Sequence, residues 1–377
     1  MIPLSVPNLS GNEWKYVKDC LDTNWVSSVG SYVNKMEEVS ASFCGVKKAI
    51  ATSNGTSALH IALILAGVKR GDLVILPNIT FVAPANVIKY IGADIVLIDV
   101  YNDTWQLDVD LLKKFLREEC TFKEGACYHQ ATDKKIAAIV PVHVLGNMVN
   151  FEKLLPLAKK YNLQVVEDAT ESLGSTYNDK PAGSFGLFGC LSYNGNKIIT
   201  TGGGGMILTN NETLAKKAKH LTTQAKVDGI EYYHDEVGYN YRMVNILAAL
   251  GVAQMEQLAD FIAYKRKITT LYNEGLKNIA GFKPQKLTCN VKSNCWLYTA
   301  FFEKSKELLK YLNNYGIQTR PFWVPMNRLP AFAMDIYYHQ DDVSGIVYSQ
   351  CLSLPCSTNI KKDEVAEVID KIKQFYA

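Results

Sequence analysis

The chain has 377 residues, 48% of them apolar, and a formal net charge of only +3. That length accommodates two domains of ordinary size with a substantial core, and so small a charge gives no basis for binding nucleic acid or an anionic membrane surface. No apolar run reaches the roughly 18 residues a membrane span needs, the first residues lack the regions of a signal peptide, and nine scattered cysteines without a C-x-x-C pair predict free thiols in a reducing cytoplasm.

Residues 1 to about 35 read as an N-terminal arm, with a helical pattern from Asn12 to Leu21 and a polar turn from Trp25 to Gly30. Beyond it, short apolar runs alternate with helical patterns: strands at 49–52, 73–76, 95–100, 136–142 and 164–168, helices at 57–66, 83–91, 108–117 and 151–161. The runs are continuously apolar, as in strands buried on both faces. Such alternation predicts an α/β fold, a largely parallel, doubly wound sheet covered by helices. Cys120, Cys127 and His129 fall in a polar stretch whose spacing does not match a zinc site; it reads as a surface insertion, and no metal is expected. Strands at 187–192 and 206–209 flank the glycine run Gly202 to Gly205, and helices follow at 211–221 and 245–263. A smaller α+β C-terminal domain then shows strands at 296–302 and 317–320 and a last helix with Val365, Val368, Ile369, Ile372 and Phe375 on one face. The expected division is 1–255 for the arm and large domain and 256–377 for the small domain.

In an open parallel sheet the ligand lies at the carboxyl ends of the strands. That rule points to Asn54-Gly55-Thr56-Ser57, Thr80-Phe81, His143 and Asp168. The first group opens an apolar helix, where exposed amides, the dipole and two hydroxyls suit a phosphate; the same residues are also ordinary turn and N-cap chemistry. Asp168 suits a cationic ring nitrogen or the cap of a following helix. Phe81 offers a face for a flat ligand or packs in the core, and His143 is a ring contact or a satisfied core histidine. Lys197, in Ser192-Tyr193-Asn194-Gly195-Asn196-Lys197, would alone be a solvated charge. Beside Ser192 and a glycine run that admits a bulky ligand, it becomes a candidate Schiff-base nucleophile and proton carrier.

These pieces, in this order, resemble the DegT/StrS family of pyridoxal-phosphate enzymes acting on nucleotide sugars. The likeness spans nearly the whole chain and is carried by Asn54 to Leu59, Val166 to Ala169, Ser192 to Lys197 with its glycine run, and Gly238-Tyr239-Asn240-Tyr241-Arg242-Met243. The wording of Glu167 to Ser172 and Asn194 to Ile199 is similar to a LegC-like branch, which aminates UDP-linked 4-keto-6-deoxy-N-acetylhexosamines. The resemblance implies aminotransferase fold type I, with pyridoxal 5'-phosphate (PLP, or PMP in its amine form) on Lys197. It implies Asp168 at the pyridine nitrogen, Phe81 stacked on the ring and Glu171 near the phenolic oxygen. Gly55, Thr56, Ser57 and Ser192 would hold the phosphate, joined by Asn240 from a second subunit, so that a cytoplasmic homodimer shares its active sites.

L-glutamate would donate the amino group, Lys197 would move the proton in both halves of the cycle, and a 4-amino sugar would leave, destined for bacterial surface glycan or nonulosonic acid. Trp25, Ser27, Ser28, Arg242, Arg320 and Asn327 are candidates for the nucleotide sugar, since hydroxyls and guanidinium groups suit phosphates. GDP-linked 4-keto-6-deoxymannose, as in perosamine synthases, is the alternative substrate, and a non-catalytic PLP-binding regulator the alternative class. Sugar 3-dehydratases of similar sequence carry His in place of the lysine, so Lys197 argues against dehydration. Three positions depart from many relatives: Glu171 for Gln, Gly203 for Glu and Asn327 for His. A carboxylate beside a phenolate would repel it, so Glu171 is expected to be protonated or turned toward a hydroxyl.

Overall fold

Ten strands form one sheet at the centre of the computed structural model, which describes residues 1–228 and 230–377. The main path runs Lys48–Thr52, Gly205–Thr209, Phe188–Ser192, Gln164–Asp168, Lys135–Ile139, Leu73–Pro77, Asp94–Ile98 and Ile336–Tyr338. Every pairing from Phe188–Ser192 onward is parallel. Gly205–Thr209 runs against both its neighbours, so its first residue meets the last residues of theirs: Gly205 is opposite both Thr52 and Ser192. Leu73–Pro77 is buried along its whole length, as its continuous apolar run requires. The helices that return the chain between parallel strands, among them Gly55–Leu65, Ala83–Ile91 and Phe151–Lys160, cover the sheet. The fold is thus the mostly parallel α/β architecture expected.

Several elements differ from the sequence reading. Residues 31–43 form a helix, Ser31–Phe43, packed on the helix Asn245–Leu276. Residues 120–129 are not a surface insertion: they form a hairpin, Cys120–Lys123 with Ala126–His129, whose second strand pairs with Lys135–Ile139 and extends the sheet. Cys127 is fully buried there, and His129 Nδ1 is engaged with the Thr132 hydroxyl at 2.9 Å. The strand expected at 317–320 shrinks to Arg320–Pro321, while Ile317 bridges to Ile2.

Asn245–Leu276, expected to stop near 263, continues to residue 276. By length and composition it could cross a membrane, but half of its most apolar stretch is buried inside the molecule, and it packs on the helices Glu13–Asp22 and Ser31–Phe43 as a core helix. The helix contributes Ala248, Val252 and Leu258 to the larger apolar core and Ile268, Tyr272 and Leu276 to a smaller one. These two cores, bridged by one helix that runs through residue 255, are the basis on which we propose a large and a small domain.

Candidate active site

The carboxyl ends of the strands open into a cavity of about 560 Å³. Its walls include Gly55, Thr56, Thr80, Phe81, Asp168, Glu171, Ser192, Lys197 and Arg320 from the sequence reading, together with Leu145, Thr170, Trp296, Phe322 and Trp323.

The helix Gly55–Leu65 begins at this cavity. Asn54 caps it, its Oδ1 accepting from the Ser57 amide at 2.7 Å. The Ser57 hydroxyl is 3.0 Å from that of Ser53. Both polar groups of Ser57 are therefore engaged within the turn, which leaves the Gly55 and Thr56 amides, lacking intrahelical acceptors, as the anion donors. Ser192 faces the same helix start, and a Cβ at Gly55 would come within 2.9 Å of the Ser192 Cβ. A Cβ at Gly205 would overlap the Asn54 carbonyl carbon, so glycine is required where three strand ends and the cradle converge.

Asp168 ends its strand almost wholly buried and accepts from the Thr170 amide at 3.1 Å. Burial raises its pKa, although the Thr170 donors and the charges of Lys197 and His143 oppose the rise. A buried carboxylate in this state is stabilised by a cation placed before it. Lys197 closes the turn that starts at Asn194, its amide donating to the Asn194 carbonyl at 3.0 Å. Its Nζ lies 3.7 Å from Glu171 Oε1 and 4.1 Å from the centre of the Trp296 ring. Glu171 Oε2 accepts from the Leu145 amide at 2.8 Å. Burial pushes the Glu171 carboxyl up to about 7 against the pull of Lys197. Of the two expectations for Glu171, a protonated carboxyl or one turned toward a hydroxyl, the second is not met: its partners are a backbone N–H and the Lys197 ammonium.

Other expected residues lie elsewhere. His143 is fully buried and does not line the cavity; its Nε2 is 3.1 Å from Glu167 Oε2. Glu167 already accepts from the amides of Gly183, Phe185 and Gly186, so His143 Nε2 is the donor of that contact. Asn327 is turned to Asn78: its Oδ1 accepts from Asn78 Nδ2 at 3.0 Å, and its amide donates to Asn78 Oδ1 at 3.0 Å. Trp25, Ser27 and Ser28 lie in a turn bound to the start of the long helix through Asn245 and do not line the cavity. Asn240 and Arg242, 3.4 Å apart, are likewise off it. Trp296, expected only as the start of a strand, and Trp323 were not singled out as site residues; the aromatic pair Phe322-Trp323 was the available signal.

The site fits a phosphate-bearing aromatic aldehyde. It offers an amide-lined helix start, a buried carboxylate awaiting a cation, a lysine, aromatic walls, and a buried Thr80 hydroxyl without a partner. Fold and site together define a pyridoxal-phosphate-dependent aminotransferase of fold type I.

The profile of the DegT/DnrJ/EryC1/StrS aminotransferase family matches residues 7–373, and the chain belongs to that family. It is 36% identical over 379 residues to the GDP-perosamine synthase of Escherichia coli O157:H7, covering 100% of this chain and 99% of that one. With the UDP-4-amino-4,6-dideoxy-N-acetyl-beta-L-altrosamine transaminase of Campylobacter jejuni it shares 30% identity over 361 residues, 92% of each chain. The solved structure of Helicobacter pylori PseC, an aminotransferase involved in the biosynthesis of pseudoaminic acid, superimposes with a TM-score of 0.89 at 25% identity, covering 100% of this chain and 99% of that one.

Proposed function

We propose that this sugar aminotransferase uses L-glutamate to convert a nucleotide-linked 4-keto-6-deoxy sugar to the 4-amino sugar, the first choice being UDP-2-acetamido-2,6-dideoxy-4-ketohexose. The observation that carries the reading is the convergence of Lys197, Asp168 and the Gly55–Thr56 helix start on one cavity. Bound pyridoxal phosphate supplies an electron sink and a carrier for the amino group. Lys197 would hold it covalently, the Gly55 and Thr56 amides with the Thr56 and Ser192 hydroxyls would hold its phosphate, and Asp168 would accept from the ring N–H. Phe81, on the cavity wall, would bear on the ring face.

As a free amine, Lys197 would take a proton from the donor's α-carbon and pass it to the cofactor's C4′ carbon; in the second half-reaction it would take a proton from that carbon and deliver it to the sugar's C4. Glu171 holds the Lys197 ammonium between transfers. Arg320, whose side chain borders the cavity, is assigned to the sugar's diphosphate.

We assign Asn240 and Arg242 to the active site of a second copy, making the working unit a homodimer. Support comes from the adjoining segment, where Ile230 is 89% and Val237 82% exposed, apolar surface that a partner chain would cover. The product would feed a bacterial surface glycan or nonulosonic acid, made in the cytoplasm.

The second reading is a GDP-linked 4-keto-6-deoxymannose, favoured by the 36% identity to a GDP-perosamine synthase; the UDP reading is supported by the motif wording around Glu171 and Lys197. Incubating enzyme and L-glutamate with each keto sugar, then weighing the nucleotide-sugar product, separates them. Amination of the UDP sugar at much higher kcat/KM supports the first reading. Preference for the GDP sugar establishes the second, and failure with both removes the substrate class.

A further inference from the structure

Lys265 lies in the interior, 2% exposed, and among the described residues its partners are carbonyls and a thiol rather than a carboxylate. Its Nζ donates to the Trp296 carbonyl at 2.8 Å and to the Cys356 carbonyl, with Cys356 Sγ at 3.6 Å. An ammonium buried without a counter-ion is unfavourable unless its donors are well satisfied, and here it fixes the backbone of Trp296. The other side of that residue is fixed too. The Trp296 amide donates to Asn294 Oδ1 at 3.0 Å, and Asn294 Nδ2 donates to the carbonyls of Glu171 and Leu173, each at 2.9 Å.

A backbone gripped at both its amide and its carbonyl sets the indole against the turn that carries Lys197. Trp296 Nε1 donates to the Asn196 carbonyl at 2.7 Å, and the ring face lies 4.1 Å from Lys197 Nζ. Glu171 Oε1 stands 3.7 Å from the same nitrogen. A lysine side chain carries on the order of 2 kcal/mol of rotamer entropy, and a ring face together with a carboxylate confine it.

We propose that Trp296 is a positioning residue for Lys197, and that Lys265 and Asn294 fix Trp296 in that place. The inference rests on the reading of Lys197 as the lysine that holds the cofactor. Trp296 acts through Lys197: its N–H shapes the Asn194–Lys197 turn, and its ring limits the directions Nζ can take, so the amine meets an incoming carbonyl already oriented.

The test uses Trp296→Leu, Trp296→Phe and Lys265→Met in the full-length protein, each verified as folded by circular dichroism at the working temperature. Cofactor-free protein is mixed with pyridoxal phosphate, and the growth of the lysine-linked absorbance band is followed by stopped flow; kcat and KM are measured on the holoenzyme. Trp296→Leu is expected to slow both capture and kcat about tenfold with little change in KM, as loss of the amine's fixed orientation would. Trp296→Phe, which keeps a ring face, recovers most of both, and Lys265→Met falls between.

Wild-type capture by Trp296→Leu, or a raised KM with unchanged capture, overturns the positioning role. Wild-type capture by Lys265→Met overturns the anchoring by Lys265. Lys197→Ala is the control for the underlying reading: a band that still forms in that variant refutes the lysine assignment, whatever the tryptophan variants do.

Discussion

Glu171 and Lys197 form an ion pair at 3.7 Å inside the cavity, and the second Glu171 oxygen is held by the amide of Leu145. To present that amide Leu145 adopts a left-handed conformation, φ 62 and ψ 21, a strain of about 1–3 kcal/mol. The carboxyl so held titrates at about 7, raised by burial, so both of its forms are populated near neutral pH.

This has a consequence for stability. The folded-state value lies above the ordinary 4.5, so the folded protein binds this proton more tightly than the unfolded chain does. The stabilisation is fully present below pH 4.5 and is lost as pH rises through 7. A shift of this size corresponds to about 3 kcal/mol. In cofactor-free protein the urea midpoint is expected to fall between pH 4.5 and 7.5, and Glu171→Gln to flatten that fall. An identical slope in the variant would contradict the assignment.

Asp168 is also raised by burial, and its charge faces the cavity. Asp168→Asn removes a buried charge but keeps the shape. It is expected to leave cofactor-free protein at pH 8 at least as stable as the parent and to lower kcat about 100-fold, the scale seen when a preorganised electrostatic partner is lost. An unchanged kcat would remove Asp168 from the mechanism.

Two positions of the glycine run, Gly203 and Gly205, behave differently. Gly205 is wedged against the Asn54 backbone, whereas a Cβ at Gly203 would meet nothing within 4 Å. Gly205→Ala is expected to cost about 2 kcal/mol through backbone displacement and to weaken cofactor binding, because the cradle itself must shift. Gly203→Ala should stay within about 0.5 kcal/mol of the parent. Chemical denaturation and cofactor titration check both, and a tolerated Gly205→Ala would place the cradle elsewhere.

Much of this was legible in the chain. The continuous apolar runs fixed the parallel strands, and the rule that ligands sit at strand ends singled out Gly55, Phe81 and Asp168, which the cavity brings together. Residues 31–43 were missed because Ser31, Asn34, Lys35 and Glu37 dilute the apolar face that packs on the long helix. The strand Ile336–Tyr338 was missed because it joins the sheet at Asp94–Ile98 from far along the chain. Trp296 was invisible for the same reason: its partner Asn196 is 100 residues away. His143 and Asn327 stood at well-chosen positions, but a strand-end rule does not say which way a side chain turns, and Glu167 and Asn78 claim them.

Asn327 therefore yields a prediction of its own. With its side chain bonded to Asn78, Asn327→Ala is expected to lower stability by about 1–2 kcal/mol while leaving the KM for the nucleotide sugar unchanged. A raised KM with unaltered stability would return Asn327 to the sugar pocket.

The central claim is that Lys197 carries the cofactor. Borohydride reduction of the holoenzyme followed by peptide mass mapping tests it most directly. A pyridoxyl phosphate adduct is expected on the peptide containing Lys197 and on no other; an adduct on another lysine, with Lys197 unmodified, would contradict the assignment.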